Sequence, residues 1–171
     1  SVMRHFKKKK TLKKDVLHKE SNETDLKMYR DLIIATLDYY VENQIMTVAT
    51  SDFNSKEYFE SLKTQTELDF QKRKLSKLKQ WFRDLTEPQI ENRVWNFNSF
   101  LQQRTGFEVN IFEKFDKQIE KIIEKGKITT DNQYYDIKNE VDRLCHAERL
   151  NTQKIDSLNK LLIDFELRKK K

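Results

Sequence analysis

Only two glycines and one proline occur among the 171 residues of this chain. Sheets need many tight turns, and tight turns depend on glycine and proline. Their scarcity therefore favours long helices joined by short polar loops. We predict an all-α fold, a compact irregular bundle of about six helices in which consecutive helices pack as antiparallel neighbours.

Apolar residues three and four positions apart, together with capping residues, locate the first three helices. We predict a first helix over 24–49 and a long second helix over 54–85. The sequence TEPQ then predicts a boundary, with Thr86 as the cap and Pro88 in the first turn of the third helix. That helix is expected to stop at Gly106, which suits the left-handed position after a helix.

Three further helices follow by the same criteria. Asn110 is expected to cap the fourth, which ends at Gly126, while Thr130 caps the fifth and Asn151 the sixth. The apolar stripes predict a set of side chains that are buried together: Phe97, Phe115, Ile119, Val141, Leu144, Leu158 and Leu162.

Positive charge is concentrated at the two ends of the chain. Residues 1–19 hold eight lysines and arginines against one aspartate, and residues 168–171 read RKKK, so the body between them is mildly acidic. Because residues 1–19 present no continuous apolar face, we predict a mobile basic arm. Residues 20–171 are expected to form one domain, with 24–105 and 110–168 as alternative sub-units.

The sequence lacks the patterns on which most catalysis depends. There is no Gly-x-Ser-x-Gly elbow and no glycine cluster to cradle phosphate. In the stretch DRLCHAE, we interpret Cys145 as a thiol that leans toward the core and His146 as a surface residue at a helix end, rather than as metal ligands. We therefore expect no enzymatic activity, metal, cofactor or small-molecule substrate. A lone cysteine, with no disulfide partner in the chain, fits a reducing, cytoplasmic setting.

The stretch QKRKLSKLKQWFR at 71–83 holds six basic residues and no acidic one. Bases interleaved with aromatic rings suit nucleic acid. We favour a structural explanation, in which the cations complement the dipole at the end of the long second helix. The candidate phosphate or anion contacts of the chain are Arg4, Lys7, Lys8, Lys9, Lys10, Lys13, Lys14, Lys72, Arg73, Lys79 and Arg83.

Adjacent aromatic residues cannot all face one narrow core, so some aromatic surface is expected to be exposed. The candidate partner contacts are Tyr39, Trp81, Trp95 and Tyr135. The function that follows is a non-enzymatic protein-binding module: an adaptor, a regulator, or a neutralising protein of the immunity or antitoxin type. One alternative is a protein that associates with nucleic acid regardless of sequence, through the basic ends and the 72–83 stretch. Another is a cytoplasmic domain beside a membrane segment outside this sequence, with the lysine run at its flank or on an anionic membrane surface.

Overall fold

In a computed structural model, the backbone is described for residues 2–43 and 54–171, and the side chains for 19–43 and 54–171. These residues form helices and no β-strand, which confirms the all-α prediction. The helices are α1 (Val2–Glu42), α2 (Ser55–Gln71), α3 (Leu75–Glu91), α4 (Phe97–Thr105), α5 (Glu113–Lys125), α6 (Asp131–Cys145) and α7 (Thr152–Lys169).

The helix α1 begins well before the predicted start at residue 24. Its backbone is helical from Val2 onward and therefore includes almost all of the basic arm. The mobility of that arm stays a prediction. The predicted end of the helix at Ala49 lies outside the described residues, since α1 ends at Glu42 and the description resumes at Asn54.

Helices α1 to α4 belong to one compact unit, Ser1–Val109. In this unit α1 contacts α2, α3 and α4. Because it has neighbours on several sides, it buries more than a single stripe of side chains. The buried positions are Leu26, Leu32, Ile33, Ala35, Thr36, Leu37 and Tyr40.

The predicted long helix over 54–85 is wrong, because it is broken between α2 and α3. Arg73 has a left-handed backbone with φ of 55°. The Lys74 N–H donates to the Asp69 carbonyl and the Arg73 N–H to the Phe70 carbonyl, both over 2.9 Å. These two bonds form a Schellman motif, which satisfies the last carbonyls of α2. The predicted cap at Asn54 is confirmed, since its side chain accepts from the backbone N–H groups of Lys56 and Glu57.

The predicted boundary at Thr86 is also wrong. Helix α3 continues through Pro88 to Glu91, and the buried Thr86 hydroxyl donates to the Phe82 carbonyl over 2.8 Å instead of capping a helix. A proline inside a helix removes one backbone hydrogen bond. Phe82 before the proline and Gln89 after it are both buried, and their packing stabilises the helix despite the missing hydrogen bond. The next helix, α4, ends at Gly106 with φ of 76°, as predicted.

Helices α5 to α7 form the second compact unit, Asn110–Lys171. The predicted end of α5 at Gly126, with φ of 67°, is confirmed, as are the caps Thr130 and Asn151. The predicted cap at Asn110 is wrong, because the N-cap of α5 is Phe112. The Asn110 side chain instead accepts from the Phe112 N–H over 2.9 Å.

The core of the second unit agrees with most of the predicted buried set. Its buried members are Ile119, Ile122, Ile128, Ile137, Leu158 and Phe165. The half-buried residues packed against them include Phe115, Val141, Leu144 and Leu162. Phe97 is buried but does not join this core. It lies in the first unit, where its ring packs against Tyr39 at 5.0 Å, so the prediction of one shared cluster was wrong.

Candidate functional site

The predicted anion contacts fall into two groups. The side chains of Arg4, Lys7, Lys8, Lys9, Lys10, Lys13 and Lys14 lie outside the described side chains. The rest lie at the connection between α2 and α3 and in the first half of α3. Because these cations follow the end of α2 and begin a new helix, the proposed dipole at the end of one long helix does not explain them.

Acidic and polar partners explain the 72–83 cations instead. Arg73 lies 2.5 Å from the Glu23 carboxylate, and Lys79 lies 3.7 Å from the Asp25 carboxylate. Arg83 donates to the Gln80 side chain over 2.7 Å. The positive charge of this stretch is therefore partly neutralised by carboxylates in the middle of α1. Such exposed pairs contribute about 0–1 kcal/mol each to stability.

Of the predicted partner contacts, Tyr135 is the one that is mainly in solvent. Its side chain is 59% exposed on α6. Trp81 and Trp95 are half-buried, as is Tyr39, whose ring packs edge-on against Phe100 at 4.9 Å. The adjacent Tyr134 turns inward, stacking on Phe165 at 5.3 Å, and its hydroxyl hydrogen-bonds the Glu166 carboxylate.

A second exposed apolar surface lies on α7, where no contact residue was predicted from the sequence. Ile163 and Leu167 are 55% and 56% exposed. They are one turn apart and lie on the side of the helix away from the buried Leu158 and Phe165. We call this pair the α7 patch. The signal was present in the sequence as an i, i+4 apolar pair outside the stripe that defines the helix.

A cavity of about 400 Å³ adjoins the α7 patch and shares Leu167 with it. It lies between the turn after α5 and the C-terminal half of α7. Its lining is Gly126, Lys127, Leu161, Asp164, Leu167 and Arg168. The Arg168 guanidinium is fixed at the edge, because it donates to the Ile128 carbonyl over 2.9 Å and its Nε donates to the Asp164 carbonyl over 3.1 Å.

A second cavity of about 350 Å³ in the same unit is lined by charged groups around Glu140. The Glu140 side chain is only 6% exposed and lies 3.6 Å from Arg143 and 3.7 Å from Lys154. Burial raises the pKa of the Glu140 carboxyl; the two cations act in the opposite sense, and Asp116 adds to the rise. The Asp116 carboxylate itself pairs with Arg143 over 2.7 Å. We interpret this cluster as structural, since each charge on α6 faces an opposite charge on α5 or α7.

In the stretch DRLCHAE, one of the two predicted placements does not hold. Cys145 is exposed at the last position of α6, so the prediction that it leans toward the core was wrong. The exposed His146 is the C-cap of α6, and its ring Nδ1 lies 2.8 Å from the Asp142 carbonyl oxygen. Among the described residues, no three His, Cys, Asp or Glu side chains gather in a way that could hold a metal ion.

No protein-family model matches this chain, and no match was found among curated proteins or among solved structures. In the described parts of the chain, none of the helices is long and apolar enough to cross a membrane. The candidate surface is therefore defined by its own geometry, the α7 patch with its adjoining cavity.

Proposed function

We propose that the protein is a non-enzymatic protein-binding module and that α7 carries its contact surface. The observation that supports this proposal is the exposure of Ile163 and Leu167 side by side on one helix face. A single exposed leucine is ordinary on a protein surface. Two large apolar side chains beside a partly apolar cavity form a continuous patch, which is typical of an interaction site.

The surroundings of the patch suit binding better than chemistry. The cavity next to it contains aliphatic, cationic and carboxylate side chains and a glycine, with no serine, cysteine or histidine to act as a nucleophile or base. Tyr135 adds an exposed aromatic ring in the same unit, and tyrosine is enriched in protein interfaces. These features support a helix face that meets another protein.

A comparison of binding partners tests the proposal. The full chain and a variant with Ile163→Ser and Leu167→Ser would be used to capture proteins from the cells that produce it. Leu150→Ser is the matched control, since Leu150 is 60% exposed on the connection between α6 and α7. We expect to capture a protein that binds the native chain and the Leu150→Ser control but not the double variant. Once purified, that protein should bind the purified native chain directly. A purified partner that binds all three forms equally would contradict the proposal.

A further inference from the structure

The α7 patch lies beside an end of the second unit that carries more positive than negative charge. The turn after α5 and the last turns of α7 lie together there, since Arg168 on α7 donates to the Ile128 carbonyl and both segments line the cavity. Six cations lie in the chain segments at this end: Lys125, Lys127, Arg168, Lys169, Lys170 and Lys171. All six are exposed.

Four carboxylates lie in or against the same segments, so the excess there is two positive charges. Asp131 pairs with Lys169, so these two charges offset each other, while Glu166 accepts from the neutral Tyr134 hydroxyl and keeps its charge. Asp164 lines the cavity and Glu124 is exposed on α5. Cations in the last turn of a helix also complement the helix dipole, which accounts for Lys125 and Arg168. It does not account for Lys127, Lys170 and Lys171, which lie beyond the ends of α5 and α7.

The cavity combines this charge with an apolar interior. Leu161 and Leu167 supply its aliphatic wall, while Lys127 and Arg168 supply positive charge at its edge. At Gly126 a Cβ atom would meet nothing within 4 Å, so the side of the cavity above this turn is open. Its volume of about 400 Å³ is large enough to take a bulky apolar side chain.

We propose that the partner of the α7 patch presents an acidic amphipathic helix, whose apolar side chain enters this cavity and whose carboxylates face the surrounding lysines. This inference rests on the proposed function and names the chemistry of the partner. An amphipathic helix suits the surface because its apolar side chains recur every three or four residues, which matches the one-turn spacing of Ile163 and Leu167. Opposite charge around the apolar contact would speed association and fix the orientation of the partner.

Synthetic peptides provide the probe. The first is a helical peptide about four turns long with leucine or phenylalanine on one face and glutamate on the other. The second has lysine in place of every glutamate, and the third has serine in place of the apolar residues. Binding to the full chain would be measured by fluorescence anisotropy at low and at physiological salt. We expect only the acidic amphipathic peptide to bind, with an affinity that falls as salt increases.

Two protein variants locate the binding. Lys127→Glu should lower the affinity for the acidic peptide about fivefold at low salt, and Leu167→Ser should lower it about tenfold. Lys114→Glu is the matched control for charge, because this exposed lysine lies at the opposite end of α5. Leu150→Ser is the control for apolar exposure. Both controls should bind the peptide as the native chain does.

The possible results separate this inference from the proposed function. Preference for the basic peptide, or equal binding by Lys127→Glu and Lys114→Glu, would overturn the acidic partner. If no peptide binds while a natural partner still depends on Ile163 and Leu167, the inference is wrong and the proposed function stands. Self-association that Leu167→Ser abolishes would show that the surface binds a second copy of this chain, which also overturns the acidic partner.

Discussion

The Tyr40 hydroxyl on α1 donates a hydrogen bond to the backbone carbonyl of Leu85 on α3 over 2.6 Å. Burial raises the pKa of this phenol above its ordinary value. The ring also stacks on Phe59 of α2, with 6.1 Å between the centroids. One side chain therefore joins three helices of the first unit.

Tyr40→Phe keeps the ring but removes this hydrogen bond. We expect a loss of about 1 kcal/mol in the free energy of unfolding, because the Leu85 carbonyl loses a partner in a partly buried site. Both tryptophans lie in the first unit, so tryptophan fluorescence in urea would measure the change. Tyr135→Phe, which alters an exposed ring of the other unit, is the control. An equal effect of the two substitutions would contradict the assigned role.

Leu158 and Ile163 provide a matched pair on one helix of the second unit. Leu158 is fully buried in its core, whereas Ile163 is exposed. Leu158→Ala should cost about 2–5 kcal/mol, since it leaves a cavity among packed side chains. Ile163→Ala should change stability by less than about 0.5 kcal/mol. Urea unfolding followed by circular dichroism measures both, and similar losses would mean that the two faces of α7 are wrongly assigned.

Helix ends show how far the sequence could predict this fold. Ends marked by glycine, at Gly106 and Gly126, were predicted correctly. The ends of α2 and α3 were missed because an arginine, Arg73 or Arg93, occupies the left-handed position that glycine usually fills. No sequence pattern marks these positions. The helices that flank each of these positions pack against α1, a long-range constraint that periodicity does not show.

The candidate surface was missed for a related reason. Aromatic residues were predicted as contacts, yet Tyr39 packs within the first unit. Periodicity assigns a residue to a helix face, but it does not show which faces have a neighbouring helix. On α1 several faces are covered, while on α7 the face with Ile163 and Leu167 is open.

Arg93 offers a direct test of the left-handed helix end. Its φ is 54°, and the Val94 N–H after it donates to the Gln89 carbonyl over 3.0 Å. A left-handed conformation costs a residue with a Cβ about 1–2 kcal/mol, and glycine avoids that cost but loses more entropy on folding. Arg93→Gly should therefore stabilise the protein by about 0.5–1 kcal/mol. Arg93→Ala keeps the Cβ and should not, so equal gains in urea unfolding would refute the explanation.

The buried Glu140 carboxyl predicts a specific dependence of stability on pH. Burial raises its pKa in the folded state, although Arg143 on α6 and Lys154 on α7 oppose the rise and Asp116 on α5 supports it. The folded state therefore binds the proton more readily than the unfolded state. Protonation of Glu140 stabilises the fold at low pH, and this contribution is lost as the pH rises through the raised pKa.

Glu140→Gln removes this titration. Relative to the native chain, the variant should gain stability as the pH increases from about 4, with no further gain above the folded pKa of Glu140. Glu120→Gln, an exposed carboxyl on the same cavity, controls for the loss of one negative charge. Urea unfolding at several pH values gives the difference. A relative loss of stability with increasing pH would show that Arg143 and Lys154 outweigh burial.

Removal of residues 1–19 should leave the fold intact. The sequence of this segment presents no continuous apolar face to dock, and the first buried side chain described on α1, Leu26, lies beyond the deletion. The melting temperature by circular dichroism should be unchanged, and a large decrease would show that the arm packs on the body.

The same deletion tests the nucleic-acid alternative. If the arm binds duplex DNA, binding should ignore sequence and depend steeply on salt, because it would come from contacts between lysines and phosphates. Contacts with about 6–10 phosphates would lower the affinity about 10³–10⁵-fold between 50 and 200 mM salt. Titration of the full and shortened chains with unrelated duplexes decides the matter. Sequence-selective binding that persists without the arm would move the site to the 72–83 stretch, where Lys79 and Arg73 would have to exchange their carboxylate partners for phosphate.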